Sequence, residues 1–558
     1  MSCRAAALFF ATLCFGQVIG TGPQVATFLS YIDDSDQPYA LYVPPDFDSH
    51  KKYPLVISLH DADSNHRINL RRVFGLGNRL GETDVQAARF LPRFRDVPFL
   101  VASPLARGTM GYQGIAEKDV YDVLADVKRK FPVDEDRVYL TGLSMGGGGA
   151  LWLGLSRPDI WAAIAPVCPA PPPGLELLAG NALNYPVKLF QGEMDPTVKA
   201  ADTRAWYKRL LDSGVQAEYI EYRGVRHNSW DNAYRDASIF PWFAGFRRNR
   251  YPDRVQFAAR DYDHRKAYWV DLDEFTPGTV AGIDAKFRAP NAIEVRTNRL
   301  RAFTLRPQNH PKLNAKLPVT VEIDGKALRV RPSAPLSFSR TATGWVNKKW
   351  LPGPHDKRPG AEGPIREAIS ERHIYVYGTL DAPSPAEVAR RRSEAIYAAT
   401  WSTPKQPLLL HFRVISDDEV QSNDWNTSSL VLFGNKTTNK LIARLGPQLP
   451  MQLNPDAADY GLVVLTPTTN GHYAVVSSGM PWWTRADQAR RPGLSFIAPA
   501  HNILLSFGDY ILFKGGLDRV VQEGLFDEHW RVPPDARLAL QASHAVTLTA
   551  PDENPVPR

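Results

Sequence analysis

The chain has 558 residues, more than a single hydrophobic core usually serves, so we expect several domains. Hydrophobic residues make up 44% and charged residues 22% of the sequence, which is typical of a globular protein and excludes a disordered or fibrous one. The formal net charge is +7, but basic clusters such as Arg390-Arg391-Arg392 are short, scattered and interleaved with acids. We therefore predict no nucleic-acid partner.

The first 22 residues have the pattern of a secretory signal peptide. A basic residue, Arg4, precedes an apolar run over about residues 5–15, and small residues follow at Gly20 and Gly22. The run is too short to span a membrane, and no later window offers about 18 uninterrupted apolar residues. We predict that residues 1–22 are removed and that the mature chain is secreted or periplasmic, without membrane contact. Cys168 is then its only cysteine, so no internal disulfide is expected.

Residues 24–250 alternate short β-favouring runs with longer helix-compatible runs. This alternation predicts a mostly parallel sheet with helices on both faces, in which reactive groups collect at the carboxyl ends of the strands. The predicted strands are 39–43, 55–59, 99–102, 138–141, 162–167, 187–191 and 218–222. The predicted helices are 117–130, 147–156 and 198–212.

A serine lies between one of these strands and the helix that follows it. Ser144 is framed by Gly142 and Gly146 in a Gly-x-Ser-x-Gly sequence. The pattern is typical of a nucleophile elbow, where glycines leave room that a β-carbon would occupy. The helix start directs its N–H groups toward developing negative charge. Alone, the frame also describes a glycine-rich β-to-α turn.

An acid and a base follow the serine along the chain, each just beyond a predicted strand. Asp195 and His227 complete the order serine, aspartate, histidine expected of a serine hydrolase on such a sheet. His227 would act as general base, and Asp195 would orient its imidazole. Singly, Asp195 before Pro196 also fits a turn or helix cap, Glu193 is a rival carboxylate, and His227 fits a solvated loop. The joint order favours a catalytic triad.

Acyl transfer also needs backbone N–H groups that bind the oxyanion. One donor should be Met145, directly after the nucleophile, and the other should come from the segment His60-Asp61-Ala62-Asp63 after the second predicted strand. We expect Ala62 to supply this second N–H, with Asp61 as the alternative. For His60 we expect a structural role in shaping the loop.

Two aromatic residues are candidates for substrate contact. Trp230 and Tyr112 would suit an acyl or sugar subsite, because aromatic faces pack well on sugars and phenolic acids. Equally, both could be packed aromatic residues, and the sequence favours that alternative.

Residues 24–250 resemble the α/β-hydrolase superfamily. The likeness is carried by the segments 137–141, 142–147, 192–195 and 227–230, and it is greatest to secreted esterases such as feruloyl and acetyl-xylan esterases and polyhydroxyalkanoate depolymerases. The catalytic domain of prolyl oligopeptidase is a related neighbour. This resemblance implies esterase chemistry at Ser144, Asp195 and His227. The chain departs from prolyl oligopeptidases in having Met145 after the serine and no room for an amino-terminal propeller.

The rest of the chain is predicted to form two smaller modules. Residues 251–345 contain β-like runs, with a hairpin signal at Asp324-Gly325, and predict a β-sandwich-like domain. Residues 351–364 look like a linker or long loop. Residues 346–558 as a whole predict a smaller α/β module of flavodoxin-like type, with a helix opening at Ser384-Pro385. The turn Gly434-Asn435-Lys436-Thr437 lacks the Gly-x-x-x-x-Gly-Lys pattern of a phosphate loop.

These patterns leave three hypotheses about function. The first is a secreted serine carboxylic-ester hydrolase that forms an acyl-enzyme, needs no cofactor and acts on plant-biomass or polymeric esters. The second is a serine peptidase of prolyl-oligopeptidase type, since the same groups cleave amides. The third is a catalytically vestigial protein that binds carbohydrate or a partner. Metal-ligand spacing is absent from the sequence, so no metal is predicted, and the oligomeric state stays open.

Overall fold

The computed structural model describes residues 20–332, 335–353, 356–468, 470–489 and 498–549. The predicted signal peptide lies outside these residues except for its last three, and Gly22 already begins the first strand. Across the described part of the chain, no helix is both long and apolar enough to cross a bilayer. The predicted domain boundaries stay predictions.

The first module is an eight-stranded sheet with the order β1-β2-β4-β3-β5-β6-β7-β8. Strand β2 is antiparallel to β1 and β4, and all further pairings in this sheet are parallel. The strands are β1 (Gly22–Leu29), β2 (Asp36–Val43), β3 (Tyr53–Leu59), β4 (Leu100–Pro104), β5 (Val133–Leu143), β6 (Ala163–Val167), β7 (Val187–Gly192) and β8 (Ala217–Tyr222).

Helices cover both faces of this sheet, so every residue of β3, β4 and β6 is buried. The helices are α1 (His66–Val73), α2 (Asp84–Ala87), α3 (Ile115–Lys130), α4 (Met145–Ser156), α5 (Ala200–Asp212), α6 (Trp230–Ala233) and α7 (Ile239–Ala244), with 3₁₀ turns at Leu175–Asn184 and Arg235–Ala237. All seven predicted strands and all three predicted helices of this module are present with shifted ends. The fold is that of an α/β-hydrolase.

Two five-stranded sheets follow, with the orders β10-β11-β14-β17-β18 and β16-β15-β13-β12-β9. Their apolar side chains meet in one cluster that includes Phe257, Trp269 and Phe303. The turn Asp324-Gly325 joins β15 to β16 as predicted, with Ile323 paired to Lys326. The β-sandwich-like assignment stays a prediction. The strands are β9 (Arg254–Ala259), β10 (Lys266–Ala267), β11 (Val270–Glu274), β12 (Ala281–Ala289), β13 (Ala292–Asn298), β14 (Ala302–Leu305), β15 (Val319–Ile323), β16 (Lys326–Val330), β17 (Leu336–Thr341) and β18 (Gly344–Val346).

The third module is built on a seven-stranded sheet, β20-β19-β21-β24-β23-β25-β26, beside a two-stranded sheet of β22 and β27. The strands are β19 (His373–Tyr377), β20 (Val414–Ser416), β21 (Ser429–Phe433), β22 (Met451–Leu453), β23 (Tyr460–Pro467), β24 (Tyr473–Gly479), β25 (Tyr510–Lys514), β26 (Val520–Gly524) and β27 (Val546–Leu548). The helices are α8 (Ile365–Ser370), α9 (Pro385–Ala399), α10 (Ser422–Thr427), α11 (Lys440–Leu445), α12 (Pro499–Leu504) and α13 (Pro534–Ala542), with a 3₁₀ turn at Gly446–Gln448.

Only part of this sheet has the parallel pairing that a flavodoxin-like module requires. Strands β20, β19, β21 and β24 are parallel, whereas β23 and β25 pair antiparallel with their neighbours. The short connection from Pro467 to Tyr473 explains the change, because a parallel pair needs a long crossover. The flavodoxin-like assignment therefore does not extend to the antiparallel half.

Residues 351–353 and 356–364, in the segment predicted to be a linker or long loop, are irregular and partly buried. Lys357 and Asp509 form an ion pair of 2.6 Å with no exposed side-chain surface, and the Tyr473 hydroxyl accepts the N–H of Glu362 at 2.8 Å. These contacts hold residues 357 and 362 against the third module. One continuous apolar cluster joins this module to the hydrolase module.

Candidate active site

Ser144 occupies the turn between β5 and α4. Its backbone has φ 54° and ψ −114°, a strained conformation of the kind that collects at functional sites. A β-carbon on Gly142 would lie 2.2 Å from the Gly146 carbonyl oxygen, and one on Gly146 would lie 2.3 Å from the Leu59 oxygen. A side chain at either position would collide with these backbone oxygens, so both positions require glycine. The Gly-x-Ser-x-Gly sequence predicts this requirement.

The structure brings Ser144 together with Asp195 and His227. Asp195 follows β7 and His227 follows β8, at the same edge of the sheet as Ser144. Nδ1 of His227 lies 2.8 Å from Asp195 Oδ2, and Nε2 lies 2.9 Å from Ser144 Oγ. The Asp195 side chain is fully buried, whereas 24% of the His227 side chain is exposed. An imidazole so placed can accept the serine proton and remain open to substrate.

Asp195 combines the two roles that its sequence position suggested. Its Oδ1 accepts the N–H groups of Thr197 at 2.8 Å and Val198 at 2.9 Å, which is a turn and capping arrangement. Its Oδ2 faces His227 and also accepts from Gln191 at 3.0 Å. The rival Glu193 instead accepts the N–H of Gly224. Four donors therefore fix the Asp195 carboxylate.

The segment 60–63 lies against the start of α4, where the oxyanion is expected. Met145 is the first residue of α4, and N–H groups of a first helical turn have no intrahelical acceptor. A β-carbon on Gly146 would lie 2.6 Å from the His60 carbonyl oxygen, so this segment and the start of α4 are adjacent. The N–H of Asp63 is engaged by Thr109 Oγ1 at 2.8 Å. Ala62, with Asp61 as alternative, stays the predicted second donor.

His60 and Tyr112 are parts of the framework under this loop. Both ring nitrogens of the buried His60 face backbone carbonyl oxygens, at 2.7 Å from Asp61 and 2.8 Å from Leu105. The Tyr112 hydroxyl donates to the His60 oxygen at 3.0 Å, and only 3% of the residue is exposed. The packed alternative for Tyr112 therefore fits its position, because a side chain with no exposed face cannot line a substrate subsite.

Trp230 lies beside the histidine and belongs to a chain of contacts that the sequence did not reveal. Its ring stands edge-to-face against His227 with centroids 5.4 Å apart. The guanidinium of Arg72 lies 5.2 Å from the centroid of the Trp230 ring and pairs with the Asp61 carboxylate at 2.8 Å. Arg72 thus connects the predicted oxyanion segment to the histidine loop. No spacing rule could have found it, because the partners are distant in sequence.

We expect Arg72→Met to lower kcat/KM for an ester substrate by about tenfold, because small displacements of positioned groups have large kinetic effects. Steady-state kinetics with p-nitrophenyl acetate would measure the change. The exposed neighbour Arg79 supplies a matched control, and Arg79→Met should behave as the unsubstituted protein. Equal activity of the Arg72 and Arg79 variants would contradict a positioning role.

Cys168 lies close to the same groups. Its sulfur and donor atoms of Asp195 and His227 all lie within 4.8 Å of one another, an arrangement that could hold a metal ion. Burial raises the pKa of the Cys168 thiol to about 12, so the thiolate that binds metals or attacks carbonyls is not populated at neutral pH. The protonated state of the Cys168 thiol therefore favours Ser144 over Cys168 as the nucleophile.

Part of the chain is similar to known esterases. Residues 33–231 match the esterase family model described as "Putative esterase". The chain is similar to a thermostable esterase, at 24% identity over 40% of this chain and 63% of that one with a TM-score of 0.33. It is also similar to a ferulic acid esterase, at 19% identity over 40% and 97% with a TM-score of 0.32. A fluorophosphonate-binding serine hydrolase F of Staphylococcus aureus matches at 17% identity over 40% and 99% with a TM-score of 0.31.

The chain spans 63% of the length of the first of these structures. The eight-stranded sheet and the turn that carries Ser144 have the α/β-hydrolase fold, and the esterase family model matches residues 33–231 of this module. Within that fold, residues 33–231 are similar to an esterase domain.

Proposed function

We propose that the protein is a secreted or periplasmic serine carboxylic-ester hydrolase with the catalytic triad Ser144, Asp195 and His227. The observation that carries this proposal is the position of the imidazole, 2.8 Å from the Asp195 carboxylate and 2.9 Å from the Ser144 hydroxyl. Each group is within the reach that proton transfer requires. The predicted leader over residues 1–22 supports export.

In the first half of the reaction, the Ser144 oxygen attacks the ester carbonyl as Nε2 of His227 takes the hydroxyl proton. Asp195 accepts the Nδ1 proton in a hydrogen bond, which fixes the tautomer and stabilises the imidazolium. The carbonyl oxygen becomes an oxyanion bound by the N–H groups of Met145 and Ala62. His227 then returns the proton to the alcohol oxygen, the C–O bond breaks and the acyl group stays on Ser144.

In the second half, water attacks the acyl-enzyme while His227 accepts one of its protons. The tetrahedral intermediate collapses, the Ser144 oxygen takes the proton back and the carboxylic acid leaves. The 24% exposure of the His227 side chain gives water a path to the imidazole. No cofactor takes part in these steps.

Plant-biomass or polymeric esters are the substrate class we propose. Trp230 supports an aromatic or sugar-linked substrate, because its partly buried ring stands next to His227 where a bound ester would lie. The Arg72 guanidinium lies 5.2 Å from the centroid of the same ring. The predicted signal peptide supports this substrate class, because such polymers occur outside the cell.

A substrate panel tests this proposal. We expect methyl ferulate, acetylated xylo-oligosaccharides and p-nitrophenyl acetate to be hydrolysed with kcat/KM at least about 100-fold above that for the amide glycyl-prolyl-p-nitroanilide, a difference of roughly 3 kcal/mol in barrier. Faster cleavage of the prolyl amide would instead favour the peptidase alternative. If only p-nitrophenyl acetate were hydrolysed, the proposed esterase reaction would be supported and the proposed plant-ester substrate class would be contradicted.

A further inference from the structure

The third module contains a cleft of about 550 Å³ whose lining residues all lie between positions 378 and 483. It opens at the carboxyl ends of three parallel neighbours, β19, β21 and β24, marked by Gly378, Gly434 and Gly479. From β19 the chain passes through α9 to β20 on one side and then returns to β21 on the other. Ligands of open α/β sheets bind at such a switch point, and the volume suits a small ligand.

One wall of the cleft is a face of α9. Arg390, Glu394 and Tyr397 have the i, i+4, i+7 spacing that places residues on one side of a helix. Half of Tyr397 is exposed, and its ring contacts that of Trp483, which also lines the cleft, with centroids 5.0 Å apart. Two adjacent aromatic rings in the lining of a cleft form an apolar platform, and hydrogen-bonding side chains line the same cleft.

The charges in the cleft argue against an anionic ligand. Arg390 donates to Glu387 at 2.8 Å and to Glu394 at 3.2 Å. Arg391 donates to both oxygens of Asp381 at 2.8 Å and to Glu387 at 2.9 Å. Three carboxylates thus neutralise two guanidinium groups, which leaves no surplus positive charge for a phosphate.

The turn after β21 does not provide a phosphate site either. The Asn435 side-chain oxygen already accepts the N–H and hydroxyl of Thr437, at 2.9 and 2.7 Å. The N–H of Asn435 is bonded to the Thr438 hydroxyl at 2.9 Å. The following helix α11 has only six residues. Asn435 is exposed and lines the cleft, and its amide nitrogen can donate to a neutral hydroxyl.

We propose that this cleft binds a neutral saccharide chain, with Tyr397 and Trp483 as the stacking platform. A sugar ring has apolar C–H faces that pack on aromatic rings, and a rim of hydroxyls that needs both donors and acceptors. Glu394 supplies acceptors, Arg390 and the Asn435 amide supply donors, and Ser393 supplies both. The site belongs to the third module and would tether the esterase to a polysaccharide independently of catalysis.

Isothermal titration calorimetry on the full-length Ser144→Ala variant tests the proposal without interference from turnover. The probes are xylohexaose, cellohexaose and, as an anionic aromatic alternative, ADP. We expect at least one hexasaccharide to bind, and Tyr397→Ala and Trp483→Ala each to weaken binding by about tenfold, which corresponds to ~1.4 kcal/mol. Phe90→Ala, at an aromatic residue of similar exposure in the hydrolase module, should leave binding unchanged.

Tyr397 is half exposed, so its loss should not unfold the module, and Glu394→Gln provides an isosteric second variant that should also weaken binding. The proposal is overturned if neither hexasaccharide binds at about 10 mM, the weak end of specific affinities. It is also overturned if binding survives both the Tyr397 and Glu394 changes, or if ADP binds and is lost with Tyr397. These binding measurements do not depend on esterase activity. Failure of the saccharide proposal can therefore be distinguished from failure of the proposed reaction.

Discussion

Replacing Ser144 with alanine is expected to lower the rate of ester hydrolysis by about 10⁴-fold or more, because it removes the attacking oxygen while the rest of the site remains. The lost hydroxyl is the one 2.9 Å from Nε2 of His227. Stopped-flow hydrolysis of p-nitrophenyl acetate is the measurement. The unsubstituted enzyme should release a burst of p-nitrophenol as the acyl-enzyme accumulates, and the variant should release none.

Cys168 provides the matched control for this experiment. Its sulfur is the other nucleophilic atom near the imidazole, but burial raises its pKa to about 12 and keeps it protonated. Cys168→Ala should therefore retain the burst and still react with a fluorophosphonate probe, whereas Ser144→Ala should do neither. An intact burst in the Ser144 variant, or labelling lost with Cys168, would rule out the assignment of Ser144.

The sequence predicted most of the hydrolase module because its signals are local. Each buried strand of a doubly covered sheet is a short apolar run, and each run ends at a turn residue. Ser144, Asp195 and His227 could be found for the same reason, since each lies within five residues after the end of such a run. Their convergence then follows from the parallel arrangement, which places strand ends at one edge.

Features that depend on contacts across the chain were missed. No sequence pattern predicts that Arg72 contacts both Trp230 and Asp61, because these contacts depend on how α1 packs. Strand β1 was missed because it lies at the sheet edge and alternates weakly, with polar residues and glycine at its start. The antiparallel half of the third sheet was missed because runs of apolar residues do not report strand direction.

We expect Arg107→Met to destabilise the protein by about 3–5 kcal/mol, the usual effect of removing one partner from a buried ion pair. Arg107 has no exposed side-chain surface. It lies 2.7 Å from Asp119 and 2.8 Å from Asp33, whose side chains are likewise fully buried. Burial raises the pKa of Asp119 to about 6 even beside this guanidinium, so the carboxyl group left without its partner would be strongly disfavoured as an anion.

Thermal unfolding followed by circular dichroism would measure this as a fall in the midpoint of roughly 10 °C for a module of this size. Arg93→Met is the matched control, because the Arg93 side chain is 91% exposed and its pairing with Asp96 at 3.9 Å should contribute at most about 1 kcal/mol. Adding Asp33→Asn and Asp119→Asn to the Arg107 variant should recover part of the loss. Unfolding at the unsubstituted midpoint would contradict a structural role for the buried pair.

The Arg107 side chain also contacts the segment of the third module that reaches the active-site loop. Arg107 donates to the Leu409 carbonyl at 3.2 Å, and the Leu409 N–H donates to the Arg107 carbonyl at 2.9 Å. Three residues earlier, Gln406 donates to Asp63 at 2.8 Å, next to the segment predicted to bind the oxyanion. Because residues 406–409 contact both Asp63 and Arg107, the Arg107 variant should lose activity below its unfolding temperature, whereas Arg93→Met should not. Loss of activity only upon unfolding would show that the module stabilises the fold without shaping the site.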